Sequence, residues 1–223
     1  MTIYHYISYY RERPQEVRKF LVIFYIVGTL GMILPWSFPL FVWLTPLALL
    51  VNFVVLSFFH QSAINRRMIG CFVAIFLLSF VVEAMGVATG KVFGGYEYGR
   101  GLGPKLFHTP LMIGLNWLFL VYTTASVVEG WKLPNLLKVV VASLGMLLYD
   151  LVMEQVAPAI DLWHWKGEVV PLQNYCVWFI LALFFHSLLK IFRIRMENPM
   201  ARMIFGCQFL FFLTLYIFFK IIV

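Results

Sequence analysis

Seven long, predominantly apolar runs, at residues 18–38, 40–59, 68–88, 110–128, 136–156, 174–192 and 203–223, dominate the chain. Each is close to the roughly 20 residues that an α-helix needs to cross the hydrocarbon core of a bilayer. Lipid offers the backbone no hydrogen bonds, so continuous spans of this kind satisfy their own N–H and C=O groups as helices. A membrane β-barrel would alternate apolar and polar positions, and these runs do not. Only 12% of the 223 residues are charged, about half of the roughly 25% found in soluble domains. A soluble enzyme and a disordered chain are therefore excluded. Cys71, Cys176 and Cys207 fall in separate runs, which gives neither a disulfide framework nor a zinc spacing. The expected fold is all-α, a polytopic membrane helix bundle of about seven transmembrane helices forming one domain over residues 1–223. The Pro35-Trp36-Ser37-Phe38-Pro39 corner separates the first two runs.

Basic residues orient the bundle. With the N-terminus inside, the inner segments hold Arg11, Arg13, Arg18, Lys19, Arg66, Arg67, Lys132, Lys138, Lys190, Arg193, Arg195 and Arg202. The outer segments hold Lys91, Arg100, Lys105, Lys166 and Lys220. Twelve against five of the 17 predicts a cytoplasmic N-terminus and an external C-terminus. This distribution accounts for the net charge of +7 without a nucleic-acid partner, for which no basic stripe is present.

A carboxylate within a span costs roughly 2.5–3.5 kcal/mol to insert and marks a functional site by default. Glu83, Asp150 and Glu154 qualify. Span direction puts all three near the outer end, with Asp150 and Glu154 one turn apart on one helix face. Asn116 and Asn174 open the following spans at that same end. The two outer loops joining these spans, 89–109 and 157–173, are the richest polar stretches in the chain. The first carries glycines at 90, 94, 95, 99, 101 and 103, and a polar loop at membrane depth must pack against protein. One pocket facing the outer leaflet, between spans three and six, is expected. The alternative is a set of structural ion pairs with Lys105 or Arg100 folded over the acids. His5, His60 and His186 read as structural or solvated. His108 and His164 lie on the outer loops, but no HxxxH, ExxH or HxH spacing occurs, so no metal is expected. A faint internal echo links VVEAMG at 81–86 to VMEQVA at 152–157. Each is followed by an aromatic loop, a Pro-Leu pair and an Asn-aromatic pair (Asn116-Trp117 and Asn174-Tyr175), as a helix-pair duplication would leave.

The string Glu83-x-x-Gly86-x-x-x-Gly90-x-x-Phe93-Gly94-x-Tyr96-x-Tyr98-Gly99-x-x-Leu102-Gly103-Pro104-Lys105 resembles the signature of the membrane carotenoid hydratases. That group includes the carotenoid 1',2'-hydratases and bisanhydrobacterioruberin hydratase. Pro110-Leu111, Asn116-Trp117, Asp150, Glu154, Trp163-x-Trp165, Pro171, Asn174 and Trp178 continue the likeness, which spans a catalytic core at 83–178. The chain departs from the pattern at Glu154-Gln155, where an Asp-Pro is expected; the proline stands at Pro158.

The resemblance implies an integral protein of a bacterial or archaeal cytoplasmic membrane. It implies addition of water across the terminal 1,2 double bond of an acyclic ψ-end group, giving a tertiary alcohol. Such hydration begins with protonation of the less substituted alkene carbon, and water captures the resulting tertiary cation. Buried, mutually close carboxyl groups suit this, because burial and a like charge keep an acid protonated near neutral pH. Glu83 or Asp150 is then the general acid, and Glu154 orients water or perturbs its neighbour. Tyr96, Tyr98, Trp117, Trp163 and Trp165 offer electron-rich faces to the cation. Asn116 and Asn174 hold the water, and Lys105 completes the substrate-binding set. Hydration is redox-neutral and calls for no cofactor. The carotenoid would enter from the bilayer, with membrane lipid as the other partner and association with other carotenoid-biosynthesis enzymes left open. Two rivals remain. A membrane lycopene cyclase would begin with the same protonation, and a non-catalytic lipid-binding or transport protein would show polar sites reachable from both sides.

Overall fold

The computed structural model describes residues 11–167 and 169–222. His5, Glu168 and Val223, the last residue of the seventh run, lie outside them. Among the described residues seven long helices run in sequence: α1 (Pro14–Ile33), α2 (Phe38–Phe58), α3 (Arg66–Thr89), α4 (Met112–Glu129), α5 (Asn135–Glu154), α6 (Leu172–Ile191) and α7 (Ala201–Ile217). A π-helical turn, Phe218–Ile222, extends α7. Four short strands lie in the two loops that sequence places outside: β1 (Tyr96–Tyr98), β2 (Lys105–Leu106), β3 (Thr109–Pro110) and β4 (Trp163–Trp165). The protein is an all-α polytopic membrane bundle.

Six of the helices, α2 to α7, are long and apolar enough to cross a membrane. The first departs from the expected 18–38 span. It starts earlier, with Pro14 in its first turn, and stops at Ile33. It therefore takes in Glu16, Arg18 and Lys19, and only the stretch after Lys19 is apolar. The corner that follows is built as expected: the Ser37 hydroxyl donates to the carbonyls of Gly31 at 3.0 Å and Leu34 at 3.2 Å. Pro39 then sits in the first turn of α2, where a missing N–H costs nothing. The fourth helix starts two residues later than the sequence suggests, because Pro110 is drawn into β3.

The helix α4 is the hub. It packs against α2, α3, α5, α6 and α7, and is buried around most of its circumference. The α1 helix lies outside this group against α2 and α7. Large apolar side chains such as Ile23, Trp43, Val54, Leu136, Ile180 and Leu210 face outward, the reverse of a soluble surface and as a lipid-facing exterior requires. Asn65 caps α3, accepting from the Met68 N–H at 3.0 Å. Gly90 ends α3 in the left-handed region at φ 65°, the conformation glycine adopts without strain.

The outer loops meet in an antiparallel ribbon. Tyr96 pairs with Trp165, Glu97 with His164, and Tyr98 with Trp163. Successive strand side chains point to opposite faces. The four aromatic residues therefore turn inward and are buried, while Glu97 and His164 turn out. At Gly99 the ribbon's end lies so close to Asp161 that a Cβ would overlap the Asp161 backbone.

Candidate active site

The three carboxylates that sequence singles out are buried beneath this ribbon, with Glu83 3%, Asp150 0% and Glu154 3% exposed. Glu83 accepts three hydrogen bonds. The Tyr96 and Tyr98 hydroxyls donate to Oε2 at 2.5 and 2.8 Å, and the Trp117 indole donates to Oε1 at 2.8 Å. Glu154 also accepts three: the Trp163 and Trp165 indoles donate to Oε2 at 2.9 and 2.8 Å, and the Asn174 amide donates to Oε1 at 3.0 Å. Asp150 is different. The Asn174 amide reaches its Oδ2 at 3.4 Å, and its Oδ1 is buried with no partner among the described residues.

The sequence echo is thus visible as two related half-sites. Each glutamate, near the outer end of its helix, receives two donors from alternate residues of the strand that follows and one from the next helix. The likeness breaks at the third donor. Asn174 serves Glu154, but it is Trp117, not Asn116, that serves Glu83.

No lysine or arginine among the described residues forms an ion pair with the three acids. Lys105 is exposed and donates to the Tyr98 carbonyl, bracing the loop from outside. Arg100 pairs with Asp161 at 2.8 Å, and His164 approaches the other Asp161 oxygen at 3.2 Å. Partial burial pushes the Asp161 carboxyl up, but hydrogen bonds from Arg100 and His164, together with the Arg100 charge, outweigh it and hold the group below its ordinary value. Burial, reinforced by the Glu83 charge, lifts the Tyr96 and Tyr98 phenols well above their usual range. Both therefore remain O–H donors. His108 is exposed on its loop, away from the acids.

Two cavities flank the ribbon's inner face. One of about 10 Å³ is lined by residues including Glu83, Glu154, Tyr96, Trp165 and Asn174, about the space of a single water. The other, about 410 Å³, is apolar and lies between α1, α2 and α7 and the bundle. Its walls include Asn116, Tyr149, Met153 and Leu162, and Trp163 borders both cavities. Of the expected site residues, Tyr96, Tyr98, Trp117, Trp163, Trp165 and Asn174 touch the acids directly, and Asn116 faces the large cavity. The sequence reading did not assign Trp178, which stacks on Trp117 at 4.2 Å. Nor did it assign the mid-span polar residues Tyr25, Asn52, Tyr149 and Gln208, which line the large cavity.

The carotenoid biosynthesis protein family matches residues 42–223, which takes in all three acids and both outer loops. The chain belongs to this family. Over 125 residues it is 30% identical to bisanhydrobacterioruberin hydratase of Haloarcula japonica, covering 52% of this chain and 43% of that protein. The chain thus spans less than half the length of that relative. No solved structure matches it. Family and fold agree on an integral membrane protein of carotenoid biosynthesis, in accord with the resemblance carried by the Glu83–Lys105 string.

Proposed function

We propose that the protein is a carotenoid 1,2-hydratase of a bacterial or archaeal cytoplasmic membrane, adding water to the terminal double bond of an acyclic ψ-end group. One observation carries this reading: a buried aspartate with an oxygen unbonded among the described residues stands beside two glutamates that each accept three hydrogen bonds. Trp N–H groups only donate, and they suit a carboxylate that accepts. Glu83 and Glu154 act as the carboxylates, and Asp150, whose Oδ1 takes no hydrogen bond from the described residues, acts as the acid. Its neighbours Tyr149 and Met153 line the apolar cavity, which suits a polyene end entering from the bilayer. The cavity volume lies in the range typical of small-molecule sites.

In this mechanism Asp150 transfers its proton to the less substituted alkene carbon, and the alkene π pair forms the new C–H bond. The neighbouring carbon becomes a tertiary cation, stabilised by the adjacent carboxylates and aromatic faces. Water held between Glu83 and Glu154 attacks it, forming the C–O bond. The proton this water loses passes to Glu154 and returns to Asp150. The Asn174 amide donates to both groups and so holds the donor and the acceptor of that proton beside each other. The sum is alkene plus water giving a tertiary alcohol.

The test is expression in cells making one defined acyclic carotenoid, with mass analysis of the pigments. Hydration adds the mass of one water. A cyclic product of unchanged mass would point to cyclase chemistry, and unaltered substrate at good expression would overturn the reading.

A further inference from the structure

The large cavity contains polar chemistry that alkene hydration does not use. Four side chains from four helices meet along its wall: Tyr25 of α1, Asn52 of α2, Tyr149 of α5 and Gln208 of α7. The Tyr25 hydroxyl lies 3.1 Å from Asn52 Oδ1 and 3.2 Å from Gln208 Oε1. The Gln208 amide donates to the Tyr149 hydroxyl at 2.7 Å, and the Asn52 amide donates to the Ala48 carbonyl at 2.9 Å. Asn52, Tyr149 and Gln208 are 2%, 1% and 5% exposed.

A count of protons shows what this girdle lacks. Each amide carries two N–H groups. One from each is engaged, and the second has no acceptor among the described residues. Turning the Gln208 amide end for end exchanges its partners but still leaves an N–H over. Polar groups at membrane depth normally find partners within the protein, so a cavity wall with donors to spare fits a ligand that brings an acceptor.

We propose that this girdle is a binding site for the oxygen of an isoprenoid alcohol, so that the cavity holds hydroxylated chains in preference to hydrocarbons of the same length. The site takes a hydroxyl on an otherwise apolar molecule, accepting from Asn52 or Gln208. This rests on the reading of the cavity as the polyene site. It adds that oxygenated molecules, the tertiary alcohol product among them, are retained there.

The experiment compares nerolidol, a C15 tertiary isoprenoid alcohol, with farnesene, a hydrocarbon of the same chain length. Each is partitioned between nanodiscs containing the full chain and empty nanodiscs, which corrects for solubility in lipid. The protein is expected to retain nerolidol about three- to tenfold more strongly than farnesene, the effect of one net hydrogen bond. Gln208→Leu and Asn52→Leu should each lower that ratio, and the double substitution should bring it to one. A ratio of one in the unaltered protein overturns the proposal whether or not the variants assemble, and so does an unchanged ratio in a well-folded double variant. The hydration assay separates the two readings. Hydrated product with no preference for the alcohol sinks only the girdle proposal. Preference for the alcohol without hydrated product sinks only the hydratase reading.

Discussion

Replacing Asp150 with asparagine separates catalysis from stability at this site. Among the described residues the Asp150 Oδ1 has no partner, and Oδ2 receives only the 3.4 Å contact from Asn174. An asparagine can keep its oxygen toward Asn174, but its amide nitrogen then sits where the described residues offer no acceptor. The neutral acid already holds an unpaired O–H at that position, so the expected change in stability is about 1 kcal/mol, the low end of the cost of an unpaired buried donor. Glutamine at Glu154 is the contrasting case. With nitrogen in place of Oε2 it confronts two indole donors, and turned over it confronts the Asn174 amide. At best one donor is stranded, at a cost of about 1–3 kcal/mol. Glutamine at Glu83 faces the same choice between two tyrosine hydroxyls and the Trp117 indole, although the hydroxyls can rotate. Removing the proton donor should cut turnover by about 10²–10⁴-fold. The variants would be expressed in a strain accumulating an acyclic carotenoid, with pigment resolved by chromatography, protein level by immunoblot and melting in detergent by fluorescence. The aspartate variant should be folded and inactive. Conversion within a fewfold of wild type at equal protein level would refute the role given to Asp150.

Three further outcomes follow from other parts of the molecule. Ala48→Phe places a ring in the apolar cavity and should lower conversion on the order of tenfold to a hundredfold by displacing the substrate chain, with little change in melting; unaltered conversion would show that the polyene lies elsewhere. Gly99→Ala drives a methyl into Asp161 and should cost about 1–3 kcal/mol, read as a lower melting temperature and faster proteolysis of the outer loops. Asp161 is held below its ordinary value by Arg100 and His164, so its ionised form favours the folded loop. That contribution is complete above the unfolded-state value of about 4 and is lost as pH falls through the lower folded-state value. Protection of the ribbon amides, relative to their intrinsic exchange at each pH, should therefore fall in acid below about pH 4, and Asp161→Asn should abolish the change; an identical acid response in that variant would remove Asp161 from the account.

Span direction alone brought Glu83, Asp150, Glu154, Asn116 and Asn174 to one end of the bundle, because alternate helices run in opposite senses and their ends must coincide. The same argument put the aromatic loops at that end, while the part expected of their residues, faces for a cation, came from the resemblance; in the structure they donate hydrogen bonds to the glutamates. What could not be read was how Tyr96 and Tyr98 divide from Trp163 and Trp165 between the two glutamates. That division comes from a ribbon of three-residue strands far apart in sequence, too short for period-two patterning to register. Lys105 looked like a site residue because it stands in the same string, but its side chain leaves the loop on the solvent side. The girdle was hidden for another reason. Tyr25, Asn52 and Gln208 sit in three spans that carry no buried acid, and nothing in a single chain indicates that they face each other. The start of the first helix was misjudged because hydropathy begins at Phe20, while helical backbone begins at Pro14 and carries charged side chains at its end.

The ribbon has one more consequence, for traffic. Its inward aromatic residues both close the outer face and supply four of the six hydrogen bonds to the glutamates. Lifting it to admit solvent would strip both carboxylates of donors at the moment they are most needed, so the cover and the charge it stabilises lock one another. On the proposed hydration, exchange of water and alcohol then avoids the aqueous face, and turnover should track the hydration of the surrounding bilayer.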